Sequence, residues 1–273
     1  MSGFSVDWLA LREPVDAASR CVGIGGVALD ALMRTHGATP YIDVVDLGAG
    51  TGANLRYVAP RIAAEQNWWL VENDPVLLAV ATADLQSRPP QVQCRVQILA
   101  LDLATQLHDL PLRAGSLVTA SALLDLVSDA WLRTLVEHVA TAGAVAWFAL
   151  TYDGRIECYP PEPEDSQVRE LVNLHQLNDK GFGAALGPGA GRRTQQLLAA
   201  HGYQVHCAAS DWHITPEHLA LQHALVEGWC QAAIEIAPQR APVLQGWLTR
   251  RRAHIAAARS ELRVGHVDIV GHP

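Results

Sequence analysis

The sequence is short of positive charge, of paired cysteines and of long apolar runs. Its 20 lysines and arginines face 28 aspartates and glutamates, a formal net charge of -8. Such a field repels phosphate backbones and disfavours a nucleic-acid partner. The five cysteines form no C-x-x-C pair, which favours reduced thiols and a cytoplasmic location. Arg12 and Glu13 come too early for a signal peptide, and no apolar run is long enough to cross a bilayer, so no membrane association is predicted.

Metal-binding spacings are missing as well. His213, His218 and His223 are five residues apart, which does not keep them on one helical face, and no cysteine or carboxylate is spaced to complete a zinc site. We therefore predict no metal. What remains is a chain of 273 residues with 49% apolar and 18% charged residues, typical of a globular protein with one large core.

A strand followed by a glycine turn is the most informative feature that is present. Residues 41–47 form an apolar, β-branched run, Gly48, Gly50 and Gly52 follow at alternate positions, and a helical pattern begins at residue 53. Glycine allows positive φ and lets a ligand approach the backbone closely. The first turn of the following helix offers unpaired N–H groups, so this turn predicts a ligand with a negative end.

A second strand–helix unit follows the first. The apolar run at residues 68–72 ends in Glu72, about twenty residues beyond the glycines, where a carboxylate can accept hydrogen bonds from ribose hydroxyls. Asp74 and Pro75 then stand in the order of a helix cap and a first helical residue. The two units together predict a site for a ligand that contains a ribose.

Strand and helix patterns alternate five times before residue 153 without a hairpin signal, which predicts a parallel, doubly wound α/β sheet. In such sheets the carboxyl ends of the strands share one rim, and ligands bind there. Polar residues stand at five predicted strand ends, namely Asp46, Glu72, Asp102, Ser121 and Tyr152. Residues 264–270 alternate between apolar and polar, which predicts an antiparallel last strand.

The segment Asp46-Leu47-Gly48-Ala49-Gly50-Thr51-Gly52 resembles the first motif of class I S-adenosylmethionine (SAM) methyltransferases, whereas a dinucleotide fold would show G-x-G-x-x-G. The resemblance implies a Rossmann-like fold with a seven-stranded, mostly parallel sheet, whose antiparallel last strand lies between strands five and six. It implies a ribose contact at Glu72 and adenine contacts from Asp102 and the Leu103 N–H. The expected cofactor-binding residues are Asp46, Gly48, Ala49, Gly50, Gly52, Asn54, Glu72, Asn73, Asp102, Leu103, Ser121 and Arg20.

Two domain-level expectations follow from this resemblance. Residues 1–39 would form a helical lid, in which Arg12 and Arg20 are candidates to pair with the methionine carboxylate. Residues 40–273 would form the Rossmann-like domain, with insertions at about residues 153–190 and 215–262. The first insertion would roof the acceptor pocket, and its candidate residues are Tyr152, Asp153, Glu157, His175, Asn178 and Lys180.

Local patterns refine the two insertions. Asp153-Gly154-Arg155 predicts a turn that leads to a short strand at residues 156–159. In the second insertion, Thr215 and Pro216 predict the start of one long helix, and a second helix is predicted over residues 242–262.

The predicted function is SAM-dependent transfer of a methyl group to a hydroxyl or amine of a small molecule. Residues 121–127 resemble the motif that lies beside the methyl donor, and Asp125 and His175 are the candidate general bases. Many members of the family have another residue, such as histidine, where Asp125 stands, which leaves the proton acceptor open.

Two alternatives to this function also remain open. One is a non-catalytic or regulatory SAM-binding partner protein of the same fold, and the other, disfavoured by the glycine spacing, is an NAD-dependent oxidoreductase. The acceptor, its reacting atom and the oligomeric state, with a homodimer among the options, do not follow from the sequence.

Overall fold

A computed structural model describes residues 5–37, 40–87 and 92–273. The strands are β1 (Tyr41–Leu47), β2 (Glu65–Val71), β3 (Cys94–Leu99), β4 (Leu117–Ser121), β5 (Val145–Tyr159), β6 (Gln204–Ala209), β7 (Trp212–Ile214) and β8 (Glu261–His272). The helices are α1 (Val6–Ser19), α2 (Val22–Thr35), α3 (Ala53–Val58), α4 (Pro75–Ser87), α5 (Asp129–Ala142), α6 (Asp165–Gln176), α7 (Ala190–Ala200), α8 (Leu219–Ile236) and α9 (Ala241–Ala256).

The main sheet has the order β3-β2-β1-β4-β5-β8-β6. Strands β1 to β5 run parallel to one another. The strand β8 runs antiparallel between β5 and β6, as predicted for the last strand. The seven strands of this order agree with the predicted number, and a short eighth strand, β7, also pairs with β8. Its three residues are too few to show an alternating pattern.

The strand β5 is longer than predicted. It runs without interruption from Val145 to Tyr159, so the predicted turn at residues 153–155 was wrong. The pairing with β8 shifts register between Phe148 and Thr151 and again between Tyr152 and Ile156. Residues 153–155 lie within the second of these irregularities and do not end the strand. The prediction that a strand ends at Tyr152 was therefore also wrong.

Helices cover both faces of the sheet. One face packs against α2 and α3 and buries Val44 and Trp68, whereas the opposite face packs against α5 and α7 and buries Val45 and Phe148. A third apolar cluster joins α6, α8 and α9 to the outer half of β5 and β8, and α1 contacts β7. The turn after β1 thus lies beside α1, and Ala122, after β4, packs against the third cluster.

The second insertion departs from prediction at its boundaries. The helix α8 begins at Leu219 rather than near Thr215, and α9 ends at Ala256, since residues 261–262 belong to β8. The division into a lid and a main domain stays a prediction, although residues 6–35 do form two helices. Among residues 5–37, 40–87 and 92–273, no helix is both long and apolar enough to cross a membrane.

Candidate functional site

The glycine turn has all three of its glycines in left-handed conformations. The angle φ is 62° at Gly48, 55° at Gly50 and 84° at Gly52, which is the N-cap of α3. A Cβ at Gly50 would lie 3.2 Å from Cδ1 of Leu9 on α1, and a Cβ at Gly48 would lie 3.5 Å from Cδ1 of Leu123. The turn is thus covered by α1 and by the loop after β4, and any side chain there would strain the backbone.

Glu72 reaches the glycine turn from the end of β2. Its Oε2 accepts the N–H of Gly50 at 3.0 Å, and its Oε1 accepts the N–H groups of Asn73 at 2.9 Å and Asp74 at 3.0 Å. An ionised carboxylate has about four acceptor positions, so Glu72 is held by three backbone donors and keeps capacity for a ligand hydroxyl. The glycines and the acid of the second strand, which the sequence placed in one site, are in contact.

Asp46 is buried beneath the turn, with 1% of its surface exposed. Its Oδ1 accepts a hydrogen bond from Asn54 Nδ2 at 2.7 Å, and the same nitrogen donates to Thr119 Oγ1 at 3.1 Å. Burial raises the pKa of Asp46 to about 7. Its Oδ2 has no hydrogen-bond partner within the described residues.

Arg20, at the junction of α1 and α2, adjoins the same network and is 5% exposed. Its Nη1 donates to Asn54 Oδ1 at 3.0 Å, and its guanidinium lies over the rings of Tyr57 and Trp147 at 4.5 and 5.1 Å. Its Nε is 3.9 Å from Oδ2 of Asp268, but neither Nε nor Nη2 forms a hydrogen bond in the part of the chain that is described. Asn54 therefore lies between two buried charged groups that each have atoms without a hydrogen bond among the described residues: Oδ2 of Asp46, and Nε and Nη2 of Arg20.

Arg12, the other arginine considered for the methionine carboxylate, is engaged elsewhere. Its Nε donates to Oδ2 of Asp16 at 2.8 Å, one helical turn away, and its guanidinium lies 5.2 Å from the ring of Trp212. The indole N–H of Trp212 donates to Oδ1 of the same aspartate at 2.9 Å. Arg12 therefore links α1 to β7.

Asp102 and Leu103 lie in a turn after β3. The carboxylate Oδ1 of Asp102 accepts the N–H of Ala104 at 3.0 Å, and the N–H of Asp102 donates to Gln106 Oε1 at 3.0 Å. The carbonyl of Leu103 accepts the indole N–H of Trp131 at 2.6 Å. The sequence had suggested that the strand itself extends to Asp102, but it ends at residue 99.

Asp125 follows β4 in a single 3-10 turn and is buried. Burial raises the pKa of this carboxyl to about 6, while its own N–H, that of Tyr152 and the cations Arg12 and Lys180 oppose the rise. Its Oδ1 has no hydrogen-bond partner among the described residues. Of the predicted acceptor-site residues, Tyr152 is thus brought to the candidate base, through its backbone N–H.

Two non-glycine residues with positive φ lie side by side on the rim. The angle φ is 53° at Ala122, after β4, and 54° at Leu150, in β5. The N–H of Ala122 donates to the carbonyl of Ala149 at 2.9 Å, and that of Leu150 donates to Oδ1 of Asp268 at 2.9 Å. Ser121, another candidate, pairs with Ala149 at the end of β4. Strained backbone of this kind is concentrated at functional sites, so the end of β4 and the middle of β5 are favoured as the place where a reaction would occur.

An aromatic cluster joins this rim to α1. The hydroxyl of Tyr152 donates to Asn173 Oδ1 at 2.7 Å, and its ring is 6.2 Å from that of His266. Trp212 lies 4.9 Å from His266 and 6.5 Å from Trp8 on α1. Burial lowers the pKa of His266 to about 3, so this imidazole is neutral and packs as an aromatic ring.

The other acceptor-site candidates have partners of their own. His175 Nε2 lies 2.9 Å from Oε2 of Glu235 on α8, and the ammonium of Lys180 is 3.4 Å from the His175 carbonyl. Asp153 is bound by Arg155 at 2.5 Å. The structure therefore does not place His175 or Asp153 against Asp125.

Three further candidates are exposed. Glu157 lies on the outer half of β5, with Arg263 Nη1 at 4.0 Å, and Asn178 lies in the loop after α6. Asn73 follows β2, and only its backbone contacts Glu72. Their roles toward a ligand stay predictions.

Several residues of this region could not be predicted from any local pattern. Trp131, Trp212, His266 and Asp268 belong to a helix, a three-residue strand and an alternating strand, and none of them stands in a motif. They reach the site only because α5 and β8 pack there. Across residues 5–37, 40–87 and 92–273, no three His, Cys, Asp or Glu side chains are grouped to hold a metal ion.

Comparison with known proteins gives a likeness of fold. No protein-family model and no curated protein matches the sequence. The chain is similar to a cyclopropane-fatty-acyl-phospholipid synthase-like protein from Lactobacillus casei, at 12% identity and a TM-score of 0.53, over 98% of this chain and 94% of that chain. A cyclopropane synthase from Mycobacterium tuberculosis matches at 10% identity and a TM-score of 0.49, over 92% of this chain and 84% of that chain. This likeness concerns the fold alone, and with the strand order it confirms the predicted Rossmann-like α/β fold.

Proposed function

We propose that this protein is a SAM-dependent methyltransferase that acts on a hydroxyl or amine of a small molecule in the cytoplasm. The observation that carries the proposal is the hydrogen bond from the Gly50 N–H to Glu72 Oε2 at 3.0 Å. It joins the glycine turn to the carboxylate that is expected to bind the ribose. The glycine turn and Glu72 lie at the carboxyl ends of β1 and β2, and in open α/β sheets ligands bind in the crevice at these ends.

The residues that are present fit the methionine half of such a cofactor. Asp46 Oδ2 is a buried acceptor without a hydrogen bond, and Arg20 Nε and Nη2 are buried donors without a hydrogen bond in the described chain. An amino group beside Asp46 and a carboxylate beside Arg20 would satisfy groups whose isolation is otherwise unfavourable. Glu72 would hold the ribose, and Asp102 with the Leu103 N–H would hold the adenine.

When bound, SAM supplies a methyl group that its positively charged sulfur already activates. The protein therefore has to hold the acceptor in line and keep water away. Leu9 on α1 covers the glycine turn, and the aromatic cluster of Trp8, Trp212 and Tyr152 encloses the neighbouring rim. These residues form the apolar walls of the proposed acceptor site.

Asp125 is the proposed general base. Its pKa of about 6 leaves the carboxyl mostly ionised at neutral pH, yet basic enough to take a proton from the acceptor. The oxygen Oδ1 has no partner in the described structure and is the atom that would receive the proton. Tyr152, whose backbone N–H bonds this carboxylate, and Lys180, whose charge favours its ionised form, would position the acceptor.

The decisive experiment incubates the purified protein with methyl-labelled SAM and a cell extract, then separates small molecules from RNA and protein. We expect label in the small-molecule fraction. The variant Asp125→Asn should bind S-adenosylhomocysteine normally but transfer label about 100-fold more slowly, as expected for loss of a general base. Asp129→Asn, which removes an exposed carboxylate close by in the sequence, should match the wild type.

The other outcomes separate the alternatives. Binding of S-adenosylhomocysteine without label in any fraction would indicate a non-catalytic SAM-binding protein. Label in RNA or protein would indicate a macromolecular acceptor, and binding of NADH alone would support an oxidoreductase. An unimpaired Asp125→Asn variant would remove this residue from the mechanism.

A further inference from the structure

Trp131 lies in the first turn of α5 and is buried. Its backbone N–H donates to Oγ of the cap residue Ser128 at 3.3 Å, and its ring meets that of Phe182 edge-on at 5.4 Å. The position of Trp131 is thus fixed by the hydrogen bond of its backbone to Ser128 and by the packing of its ring on Phe182. A side chain fixed in this way can hold another group in place, because little of its own freedom remains to be lost.

The indole N–H of Trp131 points at the turn after β3. It donates to the carbonyl of Leu103 at 2.6 Å, and the N–H of the same peptide group, which belongs to Ala104, donates to Oδ1 of Asp102 at 3.0 Å. Both polar ends of the peptide between Leu103 and Ala104 are therefore bonded. Its plane is fixed by Trp131, and the peptide in turn fixes the carboxylate of Asp102.

Further bonds hold the backbone of Asp102 but not its side chain. The carbonyl of Asp102 accepts the N–H groups of Thr105 at 3.1 Å and Gln106 at 2.8 Å, and its N–H donates to Gln106 Oε1 at 3.0 Å. The direction of the carboxylate thus depends on the Ala104 N–H. Without the indole, the peptide that carries this N–H would lose the only side chain that bonds its carbonyl in the described chain.

We propose that Trp131 is a positioning residue for recognition of the cofactor base: it aims the Asp102 carboxylate at the 6-amino group of adenine. This inference rests on the proposed SAM site and adds to it a residue from α5. Trp131 does not contact the base itself in this scheme. Its role is to set selectivity for an amino group over a carbonyl at that position, because a carboxylate accepts from the first and repels the second.

The test compares two ligands by calorimetry, S-adenosylhomocysteine and S-inosylhomocysteine, in which a carbonyl replaces the 6-amino group. The wild type should prefer the adenosyl ligand at least about tenfold, the effect of one hydrogen bond to a charged group. In Trp131→Phe the preference should fall to about threefold or less, while the affinity for the inosyl ligand changes less than about twofold. A purely structural role would weaken both ligands equally.

Trp247→Phe is the matched control. Trp247 is also buried, and its indole N–H donates to Asp165 Oδ1 at 2.7 Å, in the cluster of α6 and α9. Both variants lose one buried indole hydrogen bond, so both should melt at lower temperature. Only Trp131→Phe should lose selectivity, and equal selectivity in the wild type and Trp131→Phe would overturn the inference.

The remaining outcomes are also informative. If the wild type binds neither ligand, the proposed function fails, and if it binds both equally, the role of Asp102 fails with this inference. Should Trp131→Phe not fold, Trp131→Met, which fills the space with a flexible apolar chain, is measured in the same way. In a background of Asp102→Asn, the Trp131 substitution should have no further effect on selectivity, and an additive loss would contradict action through Asp102.

Discussion

At Glu72, three backbone N–H groups converge on one carboxylate before any ligand is present. This residue could be found from the sequence, because an acid at the end of the second strand has a recognisable spacing from the glycines. Trp131 could not be found in that way. Its contribution depends on where α5 packs against the turn after β3, and no local pattern of residues records that packing.

We expect Glu72→Ala to weaken binding of S-adenosylhomocysteine by about 1–3 kcal/mol, the loss of a hydrogen bond to a charged group. Part of this loss arises because the Gly50 N–H also loses its acceptor. Calorimetry measures the change, and Glu65→Ala, an exposed residue at the start of the same strand, serves as the control. Unchanged affinity in Glu72→Ala would remove the ribose assignment.

Among the elements, those with a long repeating pattern agreed best with prediction. The helix α5 has its cap at Ser128, and the apolar residues that recur at helical spacing in the sequence, Leu132, Leu135, Val136 and Val139, are all buried. The strand β5 is the opposite case, because turn-forming residues such as Gly154 lie within it as irregularities. What keeps this segment extended is its pairing with β8, which is more than 100 residues away in the sequence, and a local pattern does not contain that information.

The left-handed conformation of Ala122 allows a stability test at this level. Because glycine adopts positive φ without strain, Ala122→Gly should raise the free energy of unfolding by about 0.5–1 kcal/mol. The same substitution at Ala140, also half-buried but within α5, should lower it by about 1 kcal/mol. Urea denaturation measures both, and destabilisation by Ala122→Gly would show that the conformation of this residue carries no strain.

For the whole molecule, burial of His266 makes stability depend on pH. Its pKa falls from 6.5 to about 3 on folding, so the unfolded chain binds more protons between these values and stability is lost as pH falls below 6.5. The raised pKa values of Asp46, about 7, and Asp125, about 6, act in the opposite direction over part of this range. Without the imidazole, the pH dependence of stability in this range should therefore be governed more strongly by the two aspartates.

We expect the free energy of unfolding of the wild type to fall more between pH 6.5 and pH 5.5 than that of His266→Gln, by about 1 kcal/mol. Chemical denaturation at the two pH values measures the difference. His213→Gln, at an exposed position on β7, should follow the wild type. Identical pH dependence in His266→Gln would mean that folding does not lower the pKa of this histidine.

The place of β8 in the sheet has a consequence for synthesis of the chain. It is the last strand in the sequence, yet it lies between β5 and β6, so neither neighbour has its final partner until residues 261–272 have left the ribosome. Until then β5 presents one unpaired edge that is 15 residues long, the kind of surface on which nascent chains associate with one another. A chaperone that shields extended apolar segments would therefore have its greatest effect before residues 261–272 emerge.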